Sequence, residues 1–253
     1  MELLVPQRFD DPRTQYGYVN AVFDQVGRGE RPATISIAPS TRHVGVTRRD
    51  TRRRGFDEAV RAAGDEGYPV LVRGAGGGAT AAGAGTFGFS IIRPASEDAR
   101  DVYERYDEAA DLALAAFERL GVLAEVGEVR EEFCPGDHSI RLGSYEGGMK
   151  LVGIAQRLTR RATSVGGIVL VSGEEDLARV LARVYEALNL PFRPESVGSL
   201  SRAGAAVTTE EAMAAFAEEA VRSYGARRKA LDGHTLKVAR STSERFLAQP
   251  AGT

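Results

Sequence analysis

The sequence is poor in the residues that build disulfide frameworks and metal centres. Its single cysteine, Cys134, excludes an internal disulfide, and its three histidines, His43, His138 and His234, are too scattered for metal-ligand spacing, so we expect no metal. The chain lacks an apolar run of the roughly 20 residues that a membrane span needs. Its first twelve residues lack the basic start and apolar centre of a signal peptide. These absences predict a cytoplasmic protein with no membrane partner.

The charge balance gives little indication of a partner. The 253 residues carry 33 basic and 35 acidic side chains, so the formal net charge is -2 and a nucleic-acid partner is not expected. Arginines nevertheless cluster at residues 48–54, which indicates either a solvated loop or a docking patch for an acidic macromolecule. Only three of the basic side chains are lysines, and Lys150 is the only one before residue 229.

Hydrophobic periodicity predicts an α+β fold. Strands come in pairs and the helices between them do not alternate strictly with strands, which favours a mixed, largely antiparallel sheet flanked by helices. A polar linker begins at residue 193, and the tail after residue 240 is expected to be loose. Helices are predicted at about residues 18–26, 56–63, 102–120, 172–190 and 208–224, and strands at 68–72, 86–92, 122–129, 139–142, 150–154 and 168–171.

Two glycine-rich stretches are candidates for a ligand site. Arg73 leaves a predicted strand and begins a loop with six glycines between residues 74 and 85. Glycines let a backbone approach a ligand and point its N–H groups at an anion, and Arg73 adds a positive charge. The alternative is a flexible hairpin loop. In the second stretch, a glycine turn places Lys150 on a strand, where it suits a carboxylate, a phosphate or an oxyanion. The alternative for Lys150 is a solvated surface charge.

Cys134 is the third candidate. Pro135 and Gly136 end the preceding segment and place this cysteine on a loop. His138 and Lys150 are close in sequence, and a nearby cation lowers the pKa of a thiol and makes it a better nucleophile. The alternative is a small, inert hydrophobic side chain.

Taken in chain order, these motifs resemble one family. An arginine and a glycine triplet precede a strand, a loop cysteine follows, and residues 148–157 read Gly-Met-Lys-Leu-Val-Gly-Ile-Ala-Gln-Arg before a strand with two glycines. The pattern resembles the lipoate-protein ligase A and octanoyltransferase family, which has a biotin/lipoate-ligase-like catalytic domain. The resemblance covers about residues 15–190. It implies a catalytic domain at residues 1–192, followed by a linker and a small helical extension at residues 193–253.

The resemblance also implies an activity. Family members attach lipoyl or octanoyl groups to a lysine of an acidic carrier domain; ligases use ATP and Mg²⁺, whereas octanoyltransferases take the acyl group from acyl carrier protein through a cysteine. Cys134 lies 16 residues before Lys150, as in one group of the transferases. We therefore favour a transferase without a cofactor, with acyl carrier protein and a lipoyl-accepting carrier domain as partners. The alternatives are an ATP-dependent lipoate-protein ligase and a non-catalytic lipoate- or acyl-binding protein.

The family assigns a role to each candidate residue by position. Cys134 would accept the acyl group, Lys150 would hold the acyl carbonyl or the adenylate phosphate, and Asp137 would lie near the ligand. Residues of the glycine loop would border the pocket, and residues after Lys150 would let the acyl chain pass close to the strand. These two sets are Arg73, Gly76, Gly77 and Gly78, and Gly153, Ala155 and Gln156.

The sequence departs from the family pattern at two positions. Val72 stands where the family loop usually has another arginine, and Gly166 stands where a histidine is common. Both replacements remove groups that would face the polar end of the pocket. They weaken the case for adenylate chemistry more than the case for thioester transfer.

Overall fold

Six α-helices form within residues 1–248, the part of the chain that the computed structural model describes. Five of them lie where the sequence predicts helices, and α6 was not predicted. Thr208 and Glu211 form a capping box at the start of α5. Gly173 precedes α4 and gives it no side-chain cap. The helices are α1 (Pro12–Gly27), α2 (Phe56–Asp65), α3 (Val102–Arg119), α4 (Glu174–Ala187), α5 (Thr209–Tyr224) and α6 (Gly233–Ser241).

The strands form an eight-stranded and a three-stranded sheet. The large sheet has the order β11-β1-β2-β6-β10-β9-β8-β7, and the small one has the order β4-β3-β5. All pairs from β2 to β7 are antiparallel, whereas β1 is parallel to both of its neighbours, so the predicted mixed, largely antiparallel sheet is confirmed. The strands are β1 (Glu2–Leu4), β2 (Thr34–Pro39), β3 (His43–Val46), β4 (Val70–Val72), β5 (Thr80–Ala82), β6 (Thr86–Pro94), β7 (Glu125–Val126), β8 (Ile140–Leu142), β9 (Met149–Leu158), β10 (Ala162–Leu170) and β11 (Arg227–Lys229).

Strand lengths differ from the prediction at the edge and in the centre of the large sheet. The predicted strand at 122–129 is reduced to two exposed residues, because its partner β8 is only three residues long. The central strand β10 begins at Ala162, six residues before the predicted start, because β6 and β9 flank it along almost its whole length. β1, β2, β3, β5 and β11 were not predicted.

The two faces of the large sheet are packed differently. On one face, Phe87 and Phe89 of β6 meet Phe216 of α5, with ring centroids 5.1 and 5.2 Å apart, and Phe117 of α3 completes the cluster. On the other face lies α1, whose apolar residues reach Ala38 and Ile92 but leave space above the central strands. The filled face stabilises the fold, and the hollow face is where a ligand site can form.

The C-terminal segment packs into the body of the fold. Phe216 belongs to the main core, and β11 pairs with β1 at the edge of the large sheet. The predicted division of the chain at residue 192 stays a prediction. The predicted loose tail is wrong up to residue 248, since Leu247 pairs with Leu71 and the Ala248 N–H donates to the carbonyl of Val70 at 2.9 Å. Residues 249–253 lie outside the described residues.

Within residues 1–248 there is neither a candidate membrane-spanning helix nor a candidate metal site. No helix in this range is both long and apolar enough to cross a membrane. Nor do three or more His, Cys, Asp or Glu side chains come together there in a way that would hold a metal ion. The expectations of a cytoplasmic location and of a site without a metal stay predictions.

Candidate active site

Cys134 meets the glycine loop, although 61 residues separate it from Arg73. It lies on the loop between β7 and β8 with a backbone φ of +45°, in the left-handed region that residues with a side chain rarely adopt. Its buried Sγ accepts hydrogen bonds from the backbone N–H of Gly78 at 3.2 Å and from Nη2 of Arg73 at 3.3 Å. The chain thus brings together its single cysteine, a fixed cation and a backbone donor.

The surroundings of Cys134 favour its thiolate form. Burial on its own raises the pKa of the thiol. The positive charges of Arg73 and Lys150 and the two hydrogen bonds to Sγ lower the pKa by more than burial raises it, so the pKa of Cys134 is below its usual value. The thiolate is the nucleophilic form of cysteine. The alternative of an inert hydrophobic side chain does not fit this environment.

The glycine loop is not a hairpin, since β4 and β5 on either side of it both pair with β3. Gly77 has a φ of +100°, and a Cβ at this position would lie 2.4 Å from the Sγ of Cys134. Glycine is therefore required at position 77 by the backbone and by the thiol together. The Gly76 N–H donates to the carbonyl of Gln156 at 3.2 Å and fastens the loop to β9. The predicted alternative of a flexible hairpin is wrong.

Tyr185 connects the cysteine loop to Ala79, the last residue of the glycine loop before β5. Its buried hydroxyl accepts from the backbone N–H of Cys134 at 2.6 Å and donates to the carbonyl of Ala79 at 2.9 Å. Burial raises the pKa of Tyr185 above its usual value, so the hydroxyl keeps its proton. The sequence analysis missed this residue, because Tyr185 belongs to the apolar stripe of α4 and nothing local marks its hydroxyl as functional.

Lys150 is completely buried, so the alternative of a solvated surface charge is wrong. Its Nζ donates to Oε1 of Glu132 and to the carbonyls of Phe133 and Cys134, each at 2.9 Å. A lysine ammonium has three N–H donors, and all three are used by these acceptors. In this arrangement Lys150 has no donor left for an acyl carbonyl or a phosphate. It fixes the backbone of the nucleophile instead.

Glu132 is the second residue that the sequence analysis missed. Its carboxylate is buried and, besides Lys150, accepts from the hydroxyl of Ser139 at 2.5 Å and from the backbone N–H groups of Val129 and Gly136 at 3.0 and 3.3 Å. One carboxylate therefore connects both ends of the loop that carries Cys134. The only local signal is an acidic residue two positions before the cysteine, which does not reveal its burial.

An apolar cavity of about 240 Å³ opens beside Cys134, between α1 and the hollow face of the sheet. Its floor crosses four strands, β2, β6, β10 and β9. Side chains alternate between the two faces of a strand, and seven of the eight positions in the two central rows of the floor hold small residues. The strand register aligns them in two rows, Ser36, Ser90, Gly166 and Ala155, and Ala38, Gly88, Ile168 and Gly153.

The predicted ligand-contacting residues divide into those at the cavity and those away from it. Gly153 and Ala155 line the cavity, as predicted. Gln156 does not, because it points to the opposite face of β9, where its side chain accepts from Arg105 at 2.9 Å and donates to the carbonyl of Val102 at 2.5 Å. Asp137 is exposed and is not among the residues that line the cavity. The predicted ligand contacts of Gln156 and Asp137 are therefore wrong for this arrangement.

The two departures from the family pattern have local explanations. Val72 is half-buried on β4 and packs against the core around α2 and α4. A Cβ at Gly166 would lie 2.0 Å from the carbonyl oxygen of Phe89, so the backbone leaves no room for a side chain at this position.

A second, open groove of about 870 Å³ lies on the other side of the glycine loop. Arginines line it: Arg48, Arg49 and Arg53 from the predicted basic patch, together with Arg73 and Arg157. Arg157 also lines the apolar cavity, and its guanidinium lies 4.0 Å from the ring centroid of Phe23. The groove is therefore basic and adjoins the mouth of the apolar cavity.

Comparison with known proteins gives the family. The sequence profile of the lipoyl protein ligase A/B catalytic domain matches residues 11–221. The chain belongs to this family. Similar curated members of the lipoyl protein ligase A/B family include octanoyl-[GcvH]:protein N-octanoyltransferases from Geobacillus kaustophilus, 28% identical over 70% of this chain and 61% of the relative, and from Bacillus velezensis, 28% identical over 76% and 69%. The chain thus spans less than two thirds of the Geobacillus relative.

Solved structures of the lipoyl protein ligase A/B family share the fold. A lipoate-protein ligase A bound with ATP matches with a TM-score of 0.73 and 18% identity, covering 96% of this chain and 94% of the other. The lipoate protein ligase of Thermoplasma acidophilum with bound lipoic acid matches with a TM-score of 0.72 and 18% identity, over 96% and 95% of the two chains. The predicted lipoate-ligase-like fold is confirmed.

Replacing Arg73 with glutamine removes a positive charge and a hydrogen bond from the thiolate of Cys134, so we expect the pKa of the thiol to rise. Iodoacetamide alkylation across a pH series, followed by intact-protein mass spectrometry, reports this pKa because the chain has one cysteine. The midpoint of the rate should lie at a higher pH in Arg73→Gln than in the wild type. Arg61→Gln, an exposed change on α2, should keep the wild-type midpoint. Equal midpoints in all three proteins would contradict the role of Arg73.

Replacing Lys150 with methionine leaves the buried carboxylate of Glu132 without its cation. We expect the free energy of unfolding to fall by about 3–5 kcal/mol, the usual effect of breaking a buried ion pair. The double variant Lys150→Met/Glu132→Gln removes the uncompensated charge and should lose less. Urea unfolding followed by circular dichroism measures both. The exposed Lys237→Met is the control, and a Lys150→Met variant as stable as this control would show that the buried pair does not hold the loop.

Proposed function

We propose that this chain is an octanoyltransferase of lipoate metabolism that moves an octanoyl group from one carrier protein to a lysine of another through a thioester on Cys134. The proposal rests mainly on the position of the Cys134 thiol. Arg73 and the Gly78 N–H hold it by hydrogen bonds at the wall of an apolar cavity. The names of the curated relatives point to the same group transfer and give octanoyl-[GcvH] as their donor. Acyl carrier protein, the donor expected from the sequence, is the second donor to be tested.

In the first half-reaction the thiolate of Cys134 attacks the octanoyl carbonyl while the acyl chain lies in the apolar cavity. A C–S bond forms, the bond from the carbonyl carbon to the carrier breaks, and the leaving group of the carrier takes a proton from water. Arg73 and the Gly78 N–H already point at Sγ and are therefore close to the oxygen that becomes negative. Such a donor contributes about 3 kcal/mol to transition-state stabilisation in well-studied enzymes.

In the second half-reaction the acceptor lysine attacks the thioester as a neutral amine. A C–N bond forms, the C–S bond breaks, and the amine gives a proton to water, so the thiolate of Cys134 is regenerated. Lys150 contributes as a positioning residue, because its ammonium fixes the backbone carbonyls of Phe133 and Cys134. Neither half-reaction uses a nucleotide.

The arginines that line the groove favour an acidic carrier protein as the binding partner. Arg48 and Arg49 are exposed at its rim, and Nη2 of Arg49 lies 3.4 Å from the carbonyl of Gly77 in the glycine loop. A positive rim next to the nucleophile attracts a negatively charged domain and raises its association rate. The lipoyl-accepting carrier domain would therefore dock with its lysine directed over the glycine loop towards Cys134.

A transfer assay without ATP tests the proposed function. The donors are octanoylated GcvH and octanoyl-acyl carrier protein, the acceptor is a lipoyl domain with one modifiable lysine, and mass spectrometry detects the octanoylated acceptor. We expect transfer from at least one donor and a fall of at least about 1,000-fold in Cys134→Ala, since removing a covalent nucleophile costs that much or more.

Two results of this assay would favour the alternatives. An ATP-dependent ligase would octanoylate the acceptor from free octanoate with ATP and Mg²⁺, and Cys134→Ala would keep that activity. A non-catalytic binding protein would transfer nothing from any donor, yet octanoate would stabilise it against unfolding. Either result would overturn the transferase.

Reversing the charge of Arg48 and Arg49 tests the docking surface. In Arg48→Glu/Arg49→Glu we expect the second-order rate of donor capture to fall at low salt, and the difference from wild type to shrink as ionic strength rises, because the Debye length shortens to about 8 Å at physiological salt. The same charge change at Arg227 and Arg228, on β11 at the far edge of the sheet, is the control. Equal capture rates for the two double variants at low salt would contradict the docking surface.

A further inference from the structure

One glycine in the floor of the apolar cavity is not explained by its protein neighbours. The neighbours do explain three other glycines that line the cavity, because a Cβ would lie 2.0 Å from a backbone oxygen at Gly166, 2.4 Å from one at Gly167 and 3.0 Å from Cε of Lys150 at Gly153. At Gly88 the nearest atom to such a Cβ is the carbonyl oxygen of Gly167 at 3.8 Å, an ordinary contact distance. A side chain at Gly88 would fit the surrounding backbone.

The backbone does not require glycine at this position either. Gly88 lies within the long strand β6, paired with Ala38 of β2 and Ile168 of β10, and does not have a positive φ. Glycine inside a strand stabilises the strand less than alanine does. The missing side chain leaves space in the cavity and nowhere else, since Gly88 lines the cavity floor.

The position of Gly88 relative to the nucleophile gives this space a function. Gly153, on the Cys134 side of the cavity, pairs with Ile168, which pairs with Gly88. Two strand spacings, about 10 Å, therefore separate Gly153 from Gly88. That is close to the reach of an extended eight-carbon acyl chain. A chain attached to Cys134 and lying across the sheet passes Ile168 first and places its distal carbons over Gly88.

We propose that the absent side chain at Gly88 sets the length of the acyl chain that the cavity accepts. The proposal rests on the proposed acyl transfer and adds the residue that decides its substrate range. Valine at this position would fill the space over β6 and shorten the cavity, while leaving the Cys134 side unchanged. Butanoyl groups would still fit, but octanoyl groups would not.

Acyl-enzyme formation with butanoyl, hexanoyl, octanoyl and decanoyl donors tests this inference in wild type, Gly88→Ala and Gly88→Val. One misplaced methylene in an apolar pocket changes kcat/KM by about 10- to 200-fold. We therefore expect Gly88→Val to lose at least about 10-fold for octanoyl relative to butanoyl, and Gly88→Ala to lose less. Gly83→Ala is the matched control, because its Cβ would also meet only ordinary contacts, at 3.8 and 4.0 Å, and Gly83 does not line the cavity.

A loss of the same size for all four chain lengths in Gly88→Val would overturn the proposal, since it would indicate a general structural effect. If Gly88→Val does not fold, Ala38→Val provides the same obstruction from the neighbouring strand of the same row. If the wild type forms no acyl-enzyme with any donor, the proposed transfer fails separately. Calorimetric binding of the four free fatty acids to wild type and Gly88→Val then tests the chain-length limit by itself, and equal octanoate affinities would overturn it.

Discussion

The hydrogen bonds from the buried ammonium of Lys150 determine the geometry of the candidate site. They end on Glu132, Phe133 and Cys134, three consecutive residues, and leave the ammonium no donor for a ligand. The loop thereby keeps Cys134 in a left-handed backbone conformation that costs about 1–2 kcal/mol outside such support. Because that conformation directs Sγ at Gly78 and Arg73, the position of the thiol depends on the buried ion pair between Lys150 and Glu132.

The two faces of the large sheet differ in what they contribute: one packs the main core and the other forms the cavity. Its filled face carries the aromatic cluster around Phe216, and this face supplies the apolar burial that stabilises the fold. Its hollow face carries small residues in two aligned rows, which leave a cavity under α1. Strands form the floor of the cavity, and the loops that carry Arg73 and Cys134 come together beside it, an arrangement that holds side chains within small tolerances.

The sequence predicted the features that are encoded locally. Five helices followed from apolar spacing, whereas the placement of Cys134, Arg73 and the glycine loop at one pocket was implied by the family resemblance. Tyr185 could not be predicted, because its partners lie 51 and 106 residues away. The partners of Glu132 are closer in sequence, but its burial depends on the ion pair with Lys150 on another segment and leaves no local signal. Gln156 was expected at the ligand together with Ala155, although adjacent residues of a strand point to opposite faces. Of the cavity floor only Gly153 and Ala155 were predicted, because its small residues come from four strands and align only through pairing.

The central claim is that the thiol of Cys134 carries the acyl group as a covalent intermediate. Intact-protein mass spectrometry after mixing the chain with an octanoylated carrier in the absence of ATP and acceptor tests it most directly. The account predicts a mass increase of one octanoyl group that maps to Cys134, disappears on addition of the acceptor domain and is absent in Cys134→Ala. A chain that octanoylates the acceptor while its own mass stays unchanged, or an adduct that persists in Cys134→Ala, would contradict it.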